Sequence, residues 1–298
     1  MEFNLNNVLL GKEASAPEKY DPSLLFRIPR FENRERYEIE ALNLPFIGFD
    51  VWHCYEVSFL TANGFPVSRM LKFVVPAHST FLVESKSLKL YLNSFNMERF
   101  DLTILKSEKI VLQRIKSDLE DLLEISVAVA FLNENNCENE PFVFFKDKDI
   151  QQLISEQQLQ QCKFTFFKEA PDLLAGIPTT IMNEYAFRTN LLRSNCRVTN
   201  QPDWGELFIR VVANFEIDLV SIIAYLISFR QENHFHEEVV EMIFKRLMDR
   251  FSPMKLMVAA TYTRRGGIDI NPIRSTDAEW IDSVMINPLL RTKKSFRQ

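Results

Sequence analysis

The most reactive side chain in a suggestive setting is a cysteine that an aspartate follows seven residues later. Cys196 ends a strand-like run, and Asp203 lies in a turn marked by Pro202 and Gly205. A thiol nucleophile needs help to ionise, and an acid must protonate the group that it attacks. A loop that folds Asp203 back over Cys196 supplies that acid. The alternative is a buried structural cysteine beside a turn aspartate.

A second candidate lies where a strand passes into a helix, at Glu84-Ser-Lys-Ser-Leu-Lys-Leu-Tyr91. The backbone N–H groups of a helix start, the helix dipole and the Lys86 ammonium together suit an anionic phosphate. The alternative is an ordinary helix start with a solvated basic face, because serine is a common helix cap.

A third candidate is His234-Phe-His-Glu-Glu238, which places His236 and Glu237 at a helix N-terminus. Such a carboxylate can simply complement the helix dipole. Two histidines in this spacing also suggest zinc, but a zinc site needs further ligands. Nothing in the spacing of the other histidines and cysteines makes them converge on this pair, so we expect no metal site.

Composition limits what such residues can do. The 298 residues are 46% apolar and 25% charged, with 26 phenylalanines but only 7 glycines, which predicts a large core without glycine-rich phosphate loops. The net charge is −5, and the sequence has no concentrated basic stripe, so we expect no direct nucleic-acid partner. There is no secretory signal pattern and no run long enough to span a membrane, so we expect a cytoplasmic location with reduced cysteines.

The predicted elements follow the same order in both halves of the chain, strands first, then two helices, then strands again. The first half has strands at Val51–Leu60, Met70–Val83, Ile125–Phe131 and Lys163–Phe167, and helices from about Ser85 and over Ser107–Glu124. The second half has strands at Tyr185–Thr199, Glu206–Ala213 and Leu256–Tyr262, and helices at Asp218–Arg230 and Glu237–Phe251. We interpret this order as a duplicated ββααββ unit, an α+β fold divided into residues 1–170 and 171–298 at the turn-rich stretch Glu169–Thr179.

The duplication also predicts a divided site. Cys196 corresponds to Gly64 in the first half, so the first half has no nucleophile. The second half, in turn, has Glu216-Ile-Asp-Leu where the first has Glu84-Ser-Lys-Ser, so it lacks the basic helix start. A complete site then forms where the halves meet or across a subunit boundary.

These segments resemble the long, two-module form of the NADPH-dependent 7-cyano-7-deazaguanine reductases, the nitrile reductases of queuosine biosynthesis. The resemblance covers nearly the whole chain. It is carried by Leu10–Lys12, Tyr20–Arg30, Tyr55–Ser58, Glu84–Asn96, Ser194–Gly205, Phe235–Glu237 and Tyr262–Pro272. It implies tandem tunnelling-fold units, with antiparallel sheets, helices on one face, and a barrel closed by oligomerisation. Open sheet edges make a homodimer the physical expectation.

The resemblance also implies roles for individual residues. Cys196 resembles the nucleophile that forms a covalent thioimide with the nitrile carbon of 7-cyano-7-deazaguanine, and Asp203 resembles its proton donor. The implied substrate-binding residues are Val83, Glu84, Ser85, His236 and Glu237. The implied NADPH-binding residues are Ser85, Lys86, Arg265 and Gly266.

Two departures from the family pattern are mild. Leu88 stands where phenylalanine is frequent, and Arg197 follows the nucleophile where an apolar residue is commoner. Arg197 either lowers the pKa of Cys196 or points to solvent. Two other functions compete with a reductase: a pterin-forming cyclohydrolase of related fold, which needs a metal, and a protein that binds a purine-like ligand or tRNA without catalysis.

Overall fold

The computed structural model describes residues 19–298, so the segment Leu10–Lys12 lies outside the described residues. The strands are β1 (Arg27–Pro29), β2 (Ile47–Leu60), β3 (Pro66–Pro76), β4 (Phe81–Val83), β5 (Ala128–Leu132), β6 (Glu138–Asn139), β7 (Gly176–Asn195), β8 (Pro202–Ile217), β9 (Lys255–Tyr262), β10 (Ile268–Ser275) and β11 (Arg291–Thr292). The helices are α1 (Phe31–Arg36), α2 (Ser85–Asn93), α3 (Ile104–Leu123), α4 (Glu156–Gln161), α5 (Leu219–Ser228), α6 (His236–Phe251) and α7 (Ser283–Ile286).

One antiparallel sheet joins the two halves of the chain. Its seven strands run in the order β5-β3-β2-β10-β9-β8-β7. The joint is the pairing of β2 with β10, from Ile47 opposite Ser275 to Cys54 opposite Ile268. The mixed α+β class predicted from the sequence is therefore confirmed, with strands from both halves in a single sheet.

The two long helix pairs pack on the same face of this sheet. Ile270 packs in the core beneath α2 and α3, and Val258 packs in the core beneath α5 and α6. Val258 lies opposite Arg274, which faces the same side of β10 as Ile270 because residues alternate along a strand. The other face is covered by segments that include Phe142, Phe145 and Met285.

The helices form where the apolar spacing predicts them. In α3, the buried Val111, Ile115 and Leu119 recur every four residues. The Thr103 side chain caps the helix start by accepting a hydrogen bond from the Lys106 N–H. In α6, the predicted apolar face is also buried, including Val240 and Phe244. Within residues 19–298, no helix combines the length and apolar content that crossing a membrane requires.

Three of the predicted strand assignments were wrong or incomplete. Met70–Val83 is not one strand, because β3 ends at Pro76 and the chain turns before β4 leaves to pair with β1. Lys163–Phe167 is not a strand, and Phe166 in it is 57% exposed. The strand over Ile268–Ser275 was missed as an element, although it joins the two halves.

A cluster of buried charges lies between the two helix pairs. Asp50 on β2 forms ion pairs with Arg30 and with Arg274 on β10, the latter at 2.8 Å. Glu241 on α6 pairs with Arg274 at 2.8 Å and with Arg34 on α1 at 2.7 Å. All five side chains are buried. Burial alone raises the pKa of Glu241, but the guanidinium groups of Arg274 and Arg34 hold it at about 2.

We predict that Glu241→Gln lowers the free energy of unfolding by about 3 kcal/mol, because it removes the carboxylate that pairs with the buried Arg34 and leaves the buried Arg274 with Asp50 alone. Chemical denaturation at neutral pH measures the loss. Asp249→Asn is the matched control on the same helix, since Asp249 forms an exposed pair with Lys245 and its loss should cost less than about 1 kcal/mol.

The stability difference between wild type and Glu241→Gln should depend on pH in a direction that the pKa of Glu241 sets. Because the pKa of Glu241 is lowered from 4.5 to about 2 in the folded protein, its contribution to stability is present above pH 4.5 and is lost as the pH falls toward 2. The stability gap between wild type and Glu241→Gln should therefore narrow over that range. A gap that stays constant would contradict the assignment.

Candidate active site

Cys196 lies in a closed loop between the two longest strands. The loop connects β7 to β8, and the Cys196 N–H donates to the Gln201 carbonyl at 2.8 Å. The Asn200 N–H donates back to the Cys196 carbonyl at 3.1 Å, with Asn200 in the left-handed region at φ 56°. The side chain is 2% exposed. These bonds fix the backbone on both sides of the thiol.

The segment before α6 is tied to the residue next to Cys196. The Asn195 N–H donates to the Glu232 carbonyl at 2.8 Å, and the His234 N–H donates to the Asn195 carbonyl at 3.0 Å. The end of β7 and the start of α6 therefore lie side by side. This pairing places His236, the first residue of α6, in the neighbourhood of the thiol.

Asp203, His236 and Arg265 form a contact group at this place. Asp203 lies near the start of β8, where it faces Ser194 across the hairpin. One carboxylate oxygen of Asp203 lies 3.4 Å from Nε2 of His236, and the other lies 3.0 Å from Nη1 of Arg265. Asp203 is buried, whereas the Arg265 side chain is 33% exposed. The sequence-predicted acid thus has a cation and an imidazole beside it.

Glu237 is buried between this group and the charge cluster. Its pKa is raised to about 8, mainly by burial and also by the nearby Asp50 carboxylate, while the Arg30 guanidinium opposes the shift. A carboxyl group with such a pKa is largely protonated at neutral pH, so it can both donate and accept hydrogen bonds. That versatility suits the edge of a purine-like ring.

Arg197 does not point freely to solvent, because two carboxylates pair with it. Its guanidinium pairs with Glu238 at 2.8 Å and lies 3.5 Å from Glu32. The Glu238 carboxylate also accepts a hydrogen bond from the Phe235 N–H, at the cap of α6. Arg197 therefore fastens the Cys196 loop to the start of α6.

The start of α2 is capped by the candidate ligand Glu84 itself. Its carboxylate accepts hydrogen bonds from the Lys86 N–H at 3.0 Å and the Ser87 N–H at 2.7 Å. Burial raises the pKa of Glu84, although these two N–H groups oppose the change. Val83 ends β4 just before it, and Ser85 is the first residue of the helix. Two of the N–H groups that the sequence suggested for a phosphate are thus already engaged.

A tight glycine turn links the Asp203 group to α2. Gly266 and Gly267 have φ values of 61° and 78°, as a two-residue hairpin turn between β9 and β10 requires. A Cβ on Gly267 would lie 2.4 Å from Cδ of Glu56, so a larger residue there would displace that side chain and strain the backbone at φ 78°. Lys89 of α2 pairs with Glu56 at 3.0 Å and lies against Gly266. Arg265 therefore extends from the turn to Asp203, and Lys89 lies on the other side of the turn.

The two histidines of the His-x-His motif have different partners. His234 lies 3.1 Å from Glu232 and 3.5 Å from Glu238, whereas His236 faces Asp203. Among residues 19–298, no three or more His, Cys, Asp or Glu side chains are grouped so as to hold a metal ion.

Sequence reasoning missed two residues of this neighbourhood. Tyr262 stacks on His236 with ring centroids 3.8 Å apart and planes 8° apart, and Lys89 lies at the glycine turn. Both lie inside segments that carried the resemblance, Tyr262–Pro272 and Glu84–Asn96. The sequence signal that could have identified Lys89 is its position one helical turn after Ser85. Nothing local in the sequence indicates the stacking of Tyr262.

Two family models match this chain, one in each half. The family model described as "Nitrile reductase, 7-cyano-7-deazaguanine-reductase N-term" matches residues 16–131, and the model described as "QueF-like protein" matches residues 202–280. Proteins named NADPH-dependent 7-cyano-7-deazaguanine reductase are similar along most of the chain. The one from Chromohalobacter salexigens is 39% identical over 279 residues, covering 92% of this chain and 94% of that protein. The one from Xylella fastidiosa is 41% identical over 284 residues, covering 94% and 97%.

Proposed function

We propose a mechanism for this chain from one premise: the chain belongs to the family of NADPH-dependent 7-cyano-7-deazaguanine reductases, which are oxidoreductases of the queuosine pathway. In the proposed reaction, the nitrile of 7-cyano-7-deazaguanine is reduced to an aminomethyl group through a covalent thioimide on Cys196. The observation that supports it best is the contact group of Asp203, His236 and Arg265 beside the fixed Cys196 loop.

The first proposed step is addition of the Cys196 thiolate to the nitrile carbon. The C–S bond forms as one C≡N π bond breaks, and the nitrogen takes a proton from Asp203. His236 lies 3.4 Å from Asp203, so it can return a proton to that carboxylate. Arg265 restrains the other carboxylate oxygen at 3.0 Å and so orients the acid. The product is a thioimide, whose C=N bond is a better hydride acceptor than the nitrile.

The remaining steps reduce this carbon twice. NADPH, when bound, supplies hydride, and two equivalents with two protons convert the nitrile into the primary amine. After the first hydride the C–S bond breaks, which returns the Cys196 thiolate and leaves an imine for the second reduction. The burial of Cys196 and Asp203 excludes water that would hydrolyse these intermediates.

The substrate ring is proposed to lie between Val83, Glu84 and Ser85 on one side and His236 and Glu237 on the other. Glu84 and Glu237 are both buried, and each offers carboxyl oxygens to the N–H groups of a guanine-like edge. His236 is held against Asp203 at the same place. The site so defined uses residues from both 1–170 and 171–298, the two units that we propose as tunnelling-fold modules.

The proposed NADPH site comprises Ser85, Lys86, Arg265 and Gly266. The donor set fits a dinucleotide phosphate, because Lys86 and Arg265 are cations and Arg265 adjoins the glycine turn, where Gly266 has no side chain to hinder a close approach. Lys89 adds a further ammonium group beside Gly266. Because Glu84 already accepts from the Lys86 and Ser87 N–H groups at the start of α2, the proposed phosphate contacts there are the Ser85 hydroxyl and the Lys86 ammonium group.

Neither alternative function is retained. The family match is to reductases rather than to cyclohydrolases, and a non-catalytic binding role leaves the Asp203 group unexplained. We infer a cytoplasmic location, which suits a thiol nucleophile, because all four cysteines are unpaired in the structure.

We predict that Cys196→Ala abolishes NADPH oxidation with 7-cyano-7-deazaguanine, because the thioimide cannot form. Intact-protein mass spectrometry with substrate and no NADPH should show a covalent adduct on the wild type alone. Cys162→Ala, which removes an exposed thiol, is the control and should keep both adduct and turnover. An adduct that persists in Cys196→Ala would refute the proposed nucleophile.

For the cofactor, we predict that Lys86→Ala and Arg265→Ala each raise the KM for NADPH about tenfold, because each removes a cation from the phosphate site. Arg264→Ala is the matched control, since Arg264 stacks on Tyr55 instead of facing Asp203. Titration of NADPH at saturating substrate measures the change. Unchanged KM values in the first two variants would place the phosphate site elsewhere.

The proposed homodimer has a physical basis in strand β7. This strand ends the sheet, and no described strand pairs with its outer edge. Ile177 and Ile181 on it are 68% and 67% exposed. A long edge strand with exposed apolar side chains favours pairing with another chain. A second copy is the proposed occupant, and its edge pairing would close the barrel.

We predict that Ile181→Lys shifts the protein from dimer to monomer, because a lysine on an edge strand opposes edge pairing. Sedimentation velocity at micromolar concentration measures the shift. Leu105→Lys is the control, since Leu105 is an exposed leucine on α3, away from this edge. A wild type that sediments as a monomer would exclude the proposed dimer.

A further inference from the structure

Several buried polar atoms without a hydrogen-bond partner lie around Asp203. Within the part of the chain that the structure describes, they include Oγ of Ser194, Nδ1 of His236 and the hydroxyl of Tyr262. A buried polar atom left without a partner costs about 1–3 kcal/mol, so such atoms are uncommon in folded proteins. Their concentration at one place indicates polar groups that a ligand satisfies.

Tyr262 is the most constrained of the three. Its backbone N–H donates to Oδ1 of Asn271, and its carbonyl accepts from Nε2 of Gln298. It lies opposite Gly205 across β8 and β9, and a Cβ at Gly205 would be 3.2 Å from the tyrosine ring. The absence of a side chain at Gly205 therefore leaves the space that the ring occupies.

The ring of Tyr262 holds the imidazole of His236 in position. The two rings are parallel within 8° at a centroid distance of 3.8 Å, and both side chains lie deep in the protein. The tyrosine ring therefore covers one face of the imidazole, and Nε2 of the imidazole faces Asp203. The hydroxyl of Tyr262 is completely buried in this neighbourhood.

The hydroxyl stays protonated under all ordinary conditions. Burial raises the pKa of Tyr262 well above its usual value, and the nearby charges of Asp203 and Glu237 raise it further. These two residues flank the proposed position of the substrate. A neutral phenol beside these two carboxyl groups is a hydrogen-bond donor, and residues 19–298 give it no acceptor.

We propose that Tyr262 is a further substrate-binding residue, whose hydroxyl donates a hydrogen bond to an acceptor atom of the 7-deazaguanine substrate. This inference rests on the proposed function and extends its site by one residue. The ring positions His236 for Asp203, and the hydroxyl selects a substrate with an oxygen or nitrogen acceptor at that point.

The test separates binding from turnover. Calorimetry with 7-cyano-7-deazaguanine on the Cys196→Ala background measures binding without the covalent step. Adding Tyr262→Phe should weaken binding about tenfold, the worth of one hydrogen bond. In the otherwise wild-type protein, Tyr262→Phe should lower kcat/KM by a similar factor. Its melting temperature without substrate should equal or exceed that of wild type, because the unpartnered hydroxyl is gone.

Tyr225→Phe is the matched control. Tyr225 is an equally buried tyrosine on α5, but its hydroxyl already donates to Glu169 at 3.2 Å. This variant should lower the melting temperature and leave substrate affinity unchanged. The two tyrosines should therefore show opposite patterns.

Each outcome tests either the proposed hydrogen bond from Tyr262 or the proposed reaction. Unchanged affinity in Tyr262→Phe refutes the hydrogen bond to substrate, and a melting temperature lowered as in Tyr225→Phe refutes it in favour of a structural role. A wild type that binds 7-cyano-7-deazaguanine without reducing it refutes the proposed reaction alone, since the binding comparison stands by itself. Absence of any binding refutes both.

Discussion

The cluster of Asp50, Arg274, Glu241, Arg34 and Arg30 is the constraint on which the rest of the structure depends. Buried charges are tolerated only when their partners are closely placed, because desolvation otherwise outweighs the attraction between them. Asp50 and Arg274 belong to the two strands that join the halves of the sheet, and Glu241 belongs to α6. The need to keep these charges paired fixes the helix relative to the sheet joint.

The position of α6 in turn determines where His236 and Glu237 lie. Glu237 lies one helical turn before Glu241, and His236 precedes it at the helix start. The Cys196 loop is fastened to the same helix start from the other side, through Arg197 and the backbone of Asn195. Cys196 and the residues around Asp203, the proposed nucleophile and its proposed acid, are therefore placed by separate anchors. Because Asp50 also raises the pKa of Glu237, the charges that hold the fold contribute to the chemistry of the site.

Local patterns in the sequence were enough to predict the long helices. The spacing in α3 and α6 repeats an apolar face every turn, and the structure buries those faces. The three segments with candidate catalytic residues were also recognisable, because thiol, carboxylate and imidazole groups lie at the ends of predicted elements. The assignment of Asp203 to a turn was wrong, because Asp203 lies on β8 opposite Ser194, at the end of the hairpin whose loop holds Cys196.

Other features depend on contacts between distant parts of the chain. The partnership of Asp50 with Arg274 joins residues separated by most of the sequence, and each alone looks like an interruption of an apolar strand. The strand Ile268–Ser275 is buried on both faces and so lacks the alternation that marks an exposed strand. The prediction of a strand at Lys163–Phe167 failed for the opposite reason. The segment has a strand-like composition, but no described strand pairs with it. The stacking of Tyr262 on His236 likewise arises only when β9 meets α6.

The burial of Cys196 also affects how the protein withstands oxidants. Oxidation of cysteine to sulfenic and higher acids depends on access to the thiol as well as on its ionisation. Cys137 and Cys162 are exposed, whereas Cys196 is enclosed by its loop and by the start of α6. Small oxidants in solution therefore reach the Cys137 and Cys162 thiols more readily than the Cys196 thiol. The loop that fixes the backbone at Cys196 therefore also shields the proposed nucleophile from oxidation.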